Sequence, residues 1–153
     1  MRVWLEEQAA KTDPLLFTVI HNPTGAPLGI VTYMNIVPAM RTLELGHIWY
    51  GLAAQNTKTN TEAIYLMLCE SFDHLHYRRV EWKCDALNAR SRAAALRLGF
   101  QYEGIFRQHF IIKGRNRDTA WFSMLDHEWP RIKANMERWL YAGETGLSLA
   151  ELN

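Results

Sequence analysis

A polar segment in the first half of the chain carries residue types that suit a bound phosphate. It is the run Gln55-Asn56-Thr57-Lys58-Thr59-Asn60-Thr61. Apolar residues at steps of three and four predict that a helix follows it: Ile64, Met67, Leu68, Phe72 and Leu75. Free N–H groups and the helix dipole attract anions at such a start, and three threonine hydroxyls and Lys58 would add donors and charge. The alternative is a helix start capped by Thr59 or Asn60 within a solvated loop, because the segment lacks glycines.

A second pair of residues, Asn88 and Ser91, stands at the start of a predicted helix over Ala89–Leu98. Asn-x-x-Ser at this position is typical of helix capping, in which the asparagine oxygen accepts a backbone hydrogen bond. The pair also suits a ligand site, with Asn88 bonded to a ligand amide and Ser91 one turn further along. The residues alone leave both interpretations open.

Two histidines are candidates for moving a proton. His47 lies within a predicted strand, and His109 lies in the first arm of a predicted hairpin. An unperturbed imidazole titrates near neutral pH, so either could act as a base, and either could equally be a structural strand residue. His74 and His76 do not share a helix face, and no spacing in the chain predicts a metal site.

The remaining pattern predicts the elements that position these residues. A short helix is expected over Arg2–Ala10, and Gly99 suits a left-handed helix end. The third strand should place Leu43, Leu45, His47 and Trp49 on one face. The other expected elements are strands over Leu15–Ile20, Pro27–Ile36, Thr42–Gly51 and Arg79–Leu87, a hairpin of Gln101–Ile112 and Arg117–Leu125 turning at 113–116, and a last helix over His127–Leu140 before a loose tail beyond Gly143.

This order predicts an α/β or α+β fold with a mixed sheet, in which strand–helix–strand over 42–87 forms a right-handed parallel crossover. Ligands bind at the carboxyl edge of such sheets, where the segment 55–60 would lie. With 153 residues, we expect one domain over 1–153, with its core at about 15–129 and the C-terminal helix and tail at 127–153.

Composition excludes several classes of function. A formal net charge of +1 gives no reason to expect nucleic acid or an anionic membrane as a partner. No apolar run is long enough to span a bilayer, and the acidic N-terminal residues do not suit a secretory signal, so we expect a cytoplasmic protein. The two cysteines, Cys69 and Cys84, have no metal or redox spacing and are expected to be buried thiols.

One set of motifs resembles the GNAT superfamily of N-acetyltransferases, and within it the branch of the ribosomal-protein-alanine N-acetyltransferases. The similarity covers roughly residues 15–129. Its most specific part is the block Asn-x-x-Ser, Leu-Gly-Phe, Glu-Gly, Arg, which starts at Asn88 and ends at Arg107. Further matching residues are Leu45-Gly46-His47-Ile48-Trp49-Tyr50, Thr61-Glu62-Ala63, Gly114-Arg115-Asn116-Arg117-Asp118 and Phe122-Ser123.

The resemblance implies an acyl-CoA N-acyltransferase fold, in which two central parallel strands splay apart around acetyl-CoA. The third strand would offer backbone groups of Ile48, Trp49 and Tyr50 to the pantetheine arm, with an N–H near Ile48 or Trp49 stabilising the oxyanion. The pyrophosphate would bind at Gln55, Asn56, Thr57, Lys58, Thr59, Asn60 and Thr61. Asn88 would bond to the pantetheine, and Ser91 would return a proton to the leaving thiolate.

The chain departs from the family pattern at identifiable positions. Asn56 and Lys58 replace two glycines of the pyrophosphate loop, and Ala95 replaces a tyrosine found in many members. The glutamate used as base falls at Phe110, which leaves His109 or His47 for that role. Members usually begin with a further strand and helix, so the N-terminal sheet edge is expected to be bare or covered by a second subunit, as in a homodimer.

The resemblance therefore predicts transfer of an acetyl group from acetyl-CoA to a primary amine of a small molecule, peptide or protein N-terminus, by direct attack of the neutral amine. One alternative is a catalytically weak or inactive CoA-binding sensor of the same fold, and another is a structural role as a dimerisation partner. The acceptor amine is not encoded in any motif of the sequence.

Overall fold

The structure is a computed structural model that describes residues 6–7, 11–142 and 148–153. The chain divides into two compact units, residues 1–77 and 78–153. Of the predicted N-terminal helix, only Glu6 and Glu7 belong to the described residues, and both are helical. The rest of that prediction lies outside the described part, and the prediction of a single domain stays a prediction.

The first unit contains three antiparallel strands joined in sequence: β1 (Leu15–His21), β2 (Ala26–Val37) and β3 (Thr42–Tyr50). The turn between β1 and β2 spans residues 22–25, and Gly25 takes the left-handed conformation there, with φ +68°. The buried apolar side chains of these strands are Val31, Tyr33, Leu43 and Leu45.

Helix α1 (Thr59–Cys69) covers one face of these strands and continues into a π-helical turn at Glu70–His74. The predicted apolar stripe is buried at Ile64, Met67, Leu68 and Phe72. Leu75, which was predicted to continue it, follows the π-helical turn and is 49% exposed, so the prediction was wrong there. Between sheet and helix, the Tyr33 hydroxyl donates a hydrogen bond to the carbonyl of Met67. Burial raises the pKa of Tyr33 to about 12.

A β-bulge in β3 corrects the predicted faces of this strand. Ile30 of β2 pairs with Trp49, but Thr32 pairs with Gly46, so β3 carries an extra residue in between. His47 has φ +47° at this point. Beyond the bulge the faces exchange: Leu45 and Tyr50 share the α1 face, while Trp49 points away from it and is 64% exposed. The prediction that Trp49 lies with Leu45 was therefore wrong.

The second unit contains three antiparallel strands, β4 (Arg79–Asp85), β5 (Gln101–Ile112) and β6 (Arg115–Leu125), with β6 between the other two. Its helices are α2 (Ala89–Arg97), α3 (Trp129–Tyr141) and a short α4 (Leu149–Leu152). Gly99 ends α2 with φ +92°, as predicted. The hairpin between β5 and β6 turns at Lys113 and Gly114 rather than over the predicted residues 113–116. Both residues adopt positive φ, as a two-residue hairpin turn requires.

The predicted loose tail was wrong for residues 148–153. There α4 buries Leu149 and is closed by a capping box between Ser148 and Glu151. Residues 143–147 lie outside the described part. The predicted parallel crossover and splayed strands concern β3 and β4, which belong to different units, and they stay predictions.

Candidate functional site

The loop that leads into α1 has backbone geometry that explains its missing glycine. Asn56 adopts the left-handed conformation, with φ +59°. Glycine takes this conformation most readily, but asparagine tolerates it better than other side chains because its short amide bonds locally. Asn56 thus supplies the backbone turn for which the family pattern has glycine.

The residue that precedes α1 does not cap the helix with its own side chain. Lys58 occupies the position before the helix and makes no capping hydrogen bond from its side chain. The predicted caps, Thr59 and Asn60, already belong to the helix, so that prediction was wrong. The Thr59 N–H of the first turn donates to Thr57 Oγ1 at 3.2 Å, and the positive end of the helix dipole suits an anionic ligand. The buried Asn60 Oδ1 also lacks a hydrogen-bond partner.

The threonine hydroxyls of this loop act mainly within the protein. Thr57 Oγ1 lies 2.7 Å from the carbonyl oxygen of Ala54 and 2.9 Å from Thr59 Oγ1. Thr61 is only 1% exposed, so its hydroxyl does not face solvent. These contacts do not favour phosphate donation by the Thr57 and Thr61 hydroxyls, and the role of the loop in binding an anion stays a prediction.

The end of β3 offers a second set of backbone groups. The bulge at His47 and Ile48 interrupts the regular ladder with β2, and a bulge leaves its extra residue out of the pairing. At the end of the strand, Gln55 Nε2 donates to the Tyr50 carbonyl at 3.1 Å. The Tyr50 hydroxyl is buried without a hydrogen-bond partner, and burial raises its pKa to about 12.

A buried carboxylate in the same strand was not singled out from the sequence. Glu44 is 5% exposed, and its Oε2 accepts a hydrogen bond from Asn35 Nδ2 at 2.6 Å. An acid within an otherwise apolar strand, three residues before His47, is the signal that could have identified it.

In the second unit the Asn88–Ser91 motif forms the helix cap. Asn88 Oδ1 accepts a hydrogen bond from the Ser91 N–H at 3.0 Å. The capping interpretation is thereby confirmed, while the ligand-binding role of Asn88 stays a prediction.

The Ser91 hydroxyl lies against β4. Trp82 Nε1 donates to Ser91 Oγ at 3.0 Å, and Trp82 is only 5% exposed. The same hydroxyl is hydrogen-bonded with Cys84, whose thiol pKa is raised by burial, with the Ser91 bond acting in the opposite direction. Ser91 is therefore oriented by a buried indole.

The two candidate bases have different surroundings. His47 is exposed at the β3 bulge. His109 Nδ1 lies 3.1 Å from Thr119 Oγ1, and its ring packs 4.0 Å from that of Phe110. Its contacts also suit a structural residue, so the catalytic role of either histidine stays a prediction.

Searches for two other kinds of site gave negative results. Within residues 6–7, 11–142 and 148–153, no three His, Cys, Asp or Glu side chains are grouped to hold a metal ion. No helix in this described part has the length and apolar character needed to cross a membrane.

Comparison with known proteins identifies the family. The family model of the acetyltransferase (GNAT) domain matches residues 1–101. The crystal structure of a GCN5-related N-acetyltransferase from Brucella melitensis is 44% identical, with a TM-score of 0.93 over 99% of this chain and 71% of that one. A GNAT-family structure from Chromobacterium violaceum ATCC 12472 is also 44% identical, with a TM-score of 0.79 over 84% of this chain and 64% of that one.

A curated relative agrees with the ribosomal branch. The provisionally named ribosomal N-acetyltransferase YdaF of Bacillus subtilis (strain 168) is 28% identical over 105 residues, which are 69% of this chain. The matched region spans 57% of the length of that relative. The structural matches confirm the predicted α/β fold class, and the family match confirms the resemblance found in the motifs. The chain belongs to the GNAT family of acetyltransferases.

Proposed function

We propose that this protein transfers the acetyl group of acetyl-CoA to a primary amine by direct attack. The observation that carries the proposal is the start of α1, where the left-handed Asn56 precedes a helix that Lys58 does not cap with its own side chain. In a member of this family, that arrangement suits the diphosphate of CoA. Acetyl-CoA would supply an activated thioester.

The residues that would hold the cofactor are those of the loop and the end of β3. Backbone amides of Gln55 to Thr61 and the Lys58 ammonium would bind the diphosphate. Backbone groups of Ile48, Trp49 and Tyr50 would face the pantetheine arm, together with Asn88. A backbone amide at the bulge would donate to the acetyl oxygen as negative charge develops there, usually a large catalytic effect.

Proton transfer needs a base for the amine and an acid for the thiolate. His47, His109 and the buried Glu44 are the candidates for the base. Ser91 is the candidate acid: its oxygen accepts from Trp82, and its proton can be donated to the leaving sulfur. Protein N-termini, peptides and small amines are the acceptor classes proposed, and the name of the Bacillus subtilis relative describes a ribosomal N-acetyltransferase.

A thermal-shift titration with CoA and acetyl-CoA tests cofactor binding. Ligand at 100 times its dissociation constant stabilises a protein by about 2.7 kcal/mol, so a clear rise in melting temperature is expected with both compounds. Release of free thiol with a panel of amines then tests turnover. A shift without amine-dependent thiol release would indicate the CoA-binding sensor, and no shift with either compound would contradict the proposal.

Two substitutions at Asn56 sharpen this test. Asn56→Gly keeps the left-handed conformation and should retain the rise in melting temperature with acetyl-CoA. In Asn56→Val, the β-branched side chain disfavours the left-handed conformation, so the rise in melting temperature should be smaller. Equal shifts for both variants would show that the loop conformation does not matter for binding.

A further inference from the structure

One hydrogen bond in the second unit decides which ring nitrogen of His109 carries the proton. His109 of β5 has its Nδ1 atom 3.1 Å from Oγ1 of Thr119 in β6. In a neutral imidazole one nitrogen donates and the other accepts, so the direction of this bond sets the tautomer. If the Thr119 hydroxyl donates to Nδ1, the ring proton lies on Nε2. If Nδ1–H donates to the hydroxyl oxygen, Nε2 keeps a lone pair.

The burial of Thr119 favours donation by its hydroxyl. Thr119 is 1% exposed, and among the described residues its hydroxyl has no partner other than His109. With Nδ1 as the donor, the hydroxyl proton would be buried without an acceptor, which proteins avoid more strictly than an unused acceptor. A second buried hydroxyl of β6 uses its proton in the same way, since Ser123 Oγ donates to Glu103 Oε1 at 2.7 Å.

This tautomer does not suit a general base. A base must present a lone pair to the proton that it removes, but Nε2 carries a proton and the Nδ1 lone pair accepts from Thr119. Of the three candidate bases, His47 and Glu44 are then left. What His109 offers instead is a donor, Nε2–H, on a ring whose other nitrogen is fixed by a buried side chain.

The aromatic rings around His109 already interact with cations of this chain. The His109 ring lies 4.0 Å from the ring of Phe110 and 6.1 Å from that of Trp121. Lys83 Nζ lies 4.0 Å from the centre of the Trp121 ring, and the Arg117 guanidinium lies 5.5 Å from that of Phe110. These contacts use the ring faces that could otherwise attract an ammonium group of a ligand.

The acidic side chains beside these cations are also engaged. Glu81 Oε2 lies 3.1 Å from Lys83 Nζ, and Asp85 Oδ2 lies 3.6 Å from Arg117 Nε. Neither the rings nor these carboxylates are therefore arranged for a positively charged ligand group. The Nε2–H donor of His109 suits a ligand oxygen.

We propose that His109 is a specificity residue, which Thr119 holds as the Nε2–H tautomer and which donates to a carbonyl oxygen close to the reacting amine of the acceptor. This inference rests on the proposed function. The amine nitrogen cannot itself accept this bond during the reaction, because its lone pair must reach the thioester carbon. Amines that carry a neighbouring carbonyl group should therefore be preferred over plain alkylamines.

NMR of the histidine ring nitrogens tests this proposal without any need for activity. At about pH 8.5, where an imidazole is neutral, the wild-type protein should carry the ring proton of His109 on Nε2. Alaninamide should shift the Nε2 resonance, while isopropylamine, in which a methyl group replaces the carboxamide, should not. A ring proton on Nδ1, or equal shifts with both amines, would overturn the proposal.

Acetyl transfer to the same two amines tests the role of the donor. His109→Phe keeps an aromatic ring without the N–H and should lower kcat/KM for alaninamide about tenfold, as expected for one hydrogen bond. The value for isopropylamine should hardly change. His109→Gln keeps an N–H but cannot titrate, so it should retain most of the activity with alaninamide. Large losses with both amines in both variants would instead identify a general base.

Variants of Thr119 test how His109 is held. Thr119→Val removes the hydroxyl and should reproduce the loss with alaninamide, with no further loss when it is combined with His109→Phe. Thr119→Ser should restore both the activity and the Nε2–H tautomer. The matched control Ser123→Ala removes another buried hydroxyl of β6 and should leave the ratio of kcat/KM for the two amines unchanged. Equal changes of that ratio in Thr119→Val and Ser123→Ala would contradict positioning by Thr119.

The proposed function can fail separately from this inference. A wild-type protein that transfers acetyl groups to neither amine would contradict the proposed function. The position of the ring proton and the response of Nε2 to alaninamide would still decide whether His109 is a donor to a carbonyl oxygen.

Discussion

Ser91 has surroundings that suit a proton donor, because the buried indole of Trp82 holds the Ser91 oxygen in place. Trp82→Phe keeps an aromatic ring but removes the N–H that lies 3.0 Å from Ser91 Oγ. If Ser91 acts as the acid, loss of its orientation should lower kcat about tenfold. This is part of the roughly 10²–10⁴-fold increase in rate that general acid–base catalysis contributes. The KM for acetyl-CoA should change little. Steady-state kinetics below the melting temperature of the variant measure both.

A double variant separates positioning from mere packing. If Trp82 acts through Ser91, adding Trp82→Phe to Ser91→Ala should cause no further fall in kcat. Additive losses would show that the tryptophan supports activity by another route.

Glu103 should make stability depend on acid pH. The Arg79 guanidinium lies 2.6 Å from its carboxylate and is the main cause that lowers the pKa of Glu103 below 4.5, with Ser123 contributing. A carboxyl group whose pKa is lower in the folded than in the unfolded state stabilises the fold at pH values above its unfolded pKa. This stabilisation is lost as the pH falls through the pKa of the folded state. Glu103→Gln should therefore lower the melting temperature at pH 7.

The pH series checks the sign of this effect. The difference in melting temperature between the wild type and Glu103→Gln should decrease as the pH falls below about 4.5, because the Glu103 carboxylate of the wild type becomes protonated. A difference that stays constant between pH 7 and pH 3 would mean that the ionised carboxylate contributes nothing.

Among the elements, β2 and β3 approach each other closely at Gly29. A Cβ at this position would lie 2.2 Å from the carbonyl oxygen of Trp49 and 2.6 Å from Cδ1 of Tyr50. Because backbone cannot move aside cheaply, Gly29→Ala should cost about 3 kcal/mol or more and lower the melting temperature by at least roughly 6 °C.

Gly51 provides the matched control for that change. Its added Cβ would lie 3.6 Å from the Leu28 carbonyl, an ordinary contact, and its φ of −60° suits alanine. Gly51→Ala should leave stability unchanged or raise it by about 0.4–1 kcal/mol. Equal losses for both variants would show that the close approach at Gly29 is not the cause.

The sequence predicted elements well where one local rule decides them. The stripe through Ile64 and Leu68, the Asn88 cap and the Gly99 helix end are confirmed, since each depends on periodicity or backbone conformation. The β3 bulge was missed, because a bulge depends on the register with β2 rather than on the residues of β3. The faces of Trp49 and Tyr50 were wrong for that reason.

The loop before a helix, on which the candidate site depends, was predictable from the sequence, but its contacts were not. The sequence identified the loop before α1, yet the threonines that suggested phosphate donors are partly used within the loop or buried. Glu44 and Trp82 were overlooked because burial and the partner of a side chain depend on tertiary packing. Nothing in the spacing of Ser91 indicates that an indole would donate to it.

For the molecule as a whole, the C-terminal residues contribute to the core of the second unit. Asn153 Nδ2 donates to the carbonyl of Arg97 at 3.1 Å, which satisfies an acceptor at the end of α2. Asn135 of α3 donates to the Leu152 carbonyl at 2.6 Å. α4 is too short to be stable alone, so its packing on the unit must hold it in place.

Leu149 is the side chain that connects this segment to the core, since it is 1% exposed. Leu149→Ala should destabilise the protein by about 2–5 kcal/mol, because it removes buried apolar atoms and leaves a cavity. The same change at Leu87, which is 92% exposed, should alter stability by no more than about 0.5 kcal/mol. Denaturant unfolding of both variants measures the difference, and similar midpoints would show that the C-terminal helix adds nothing to global stability.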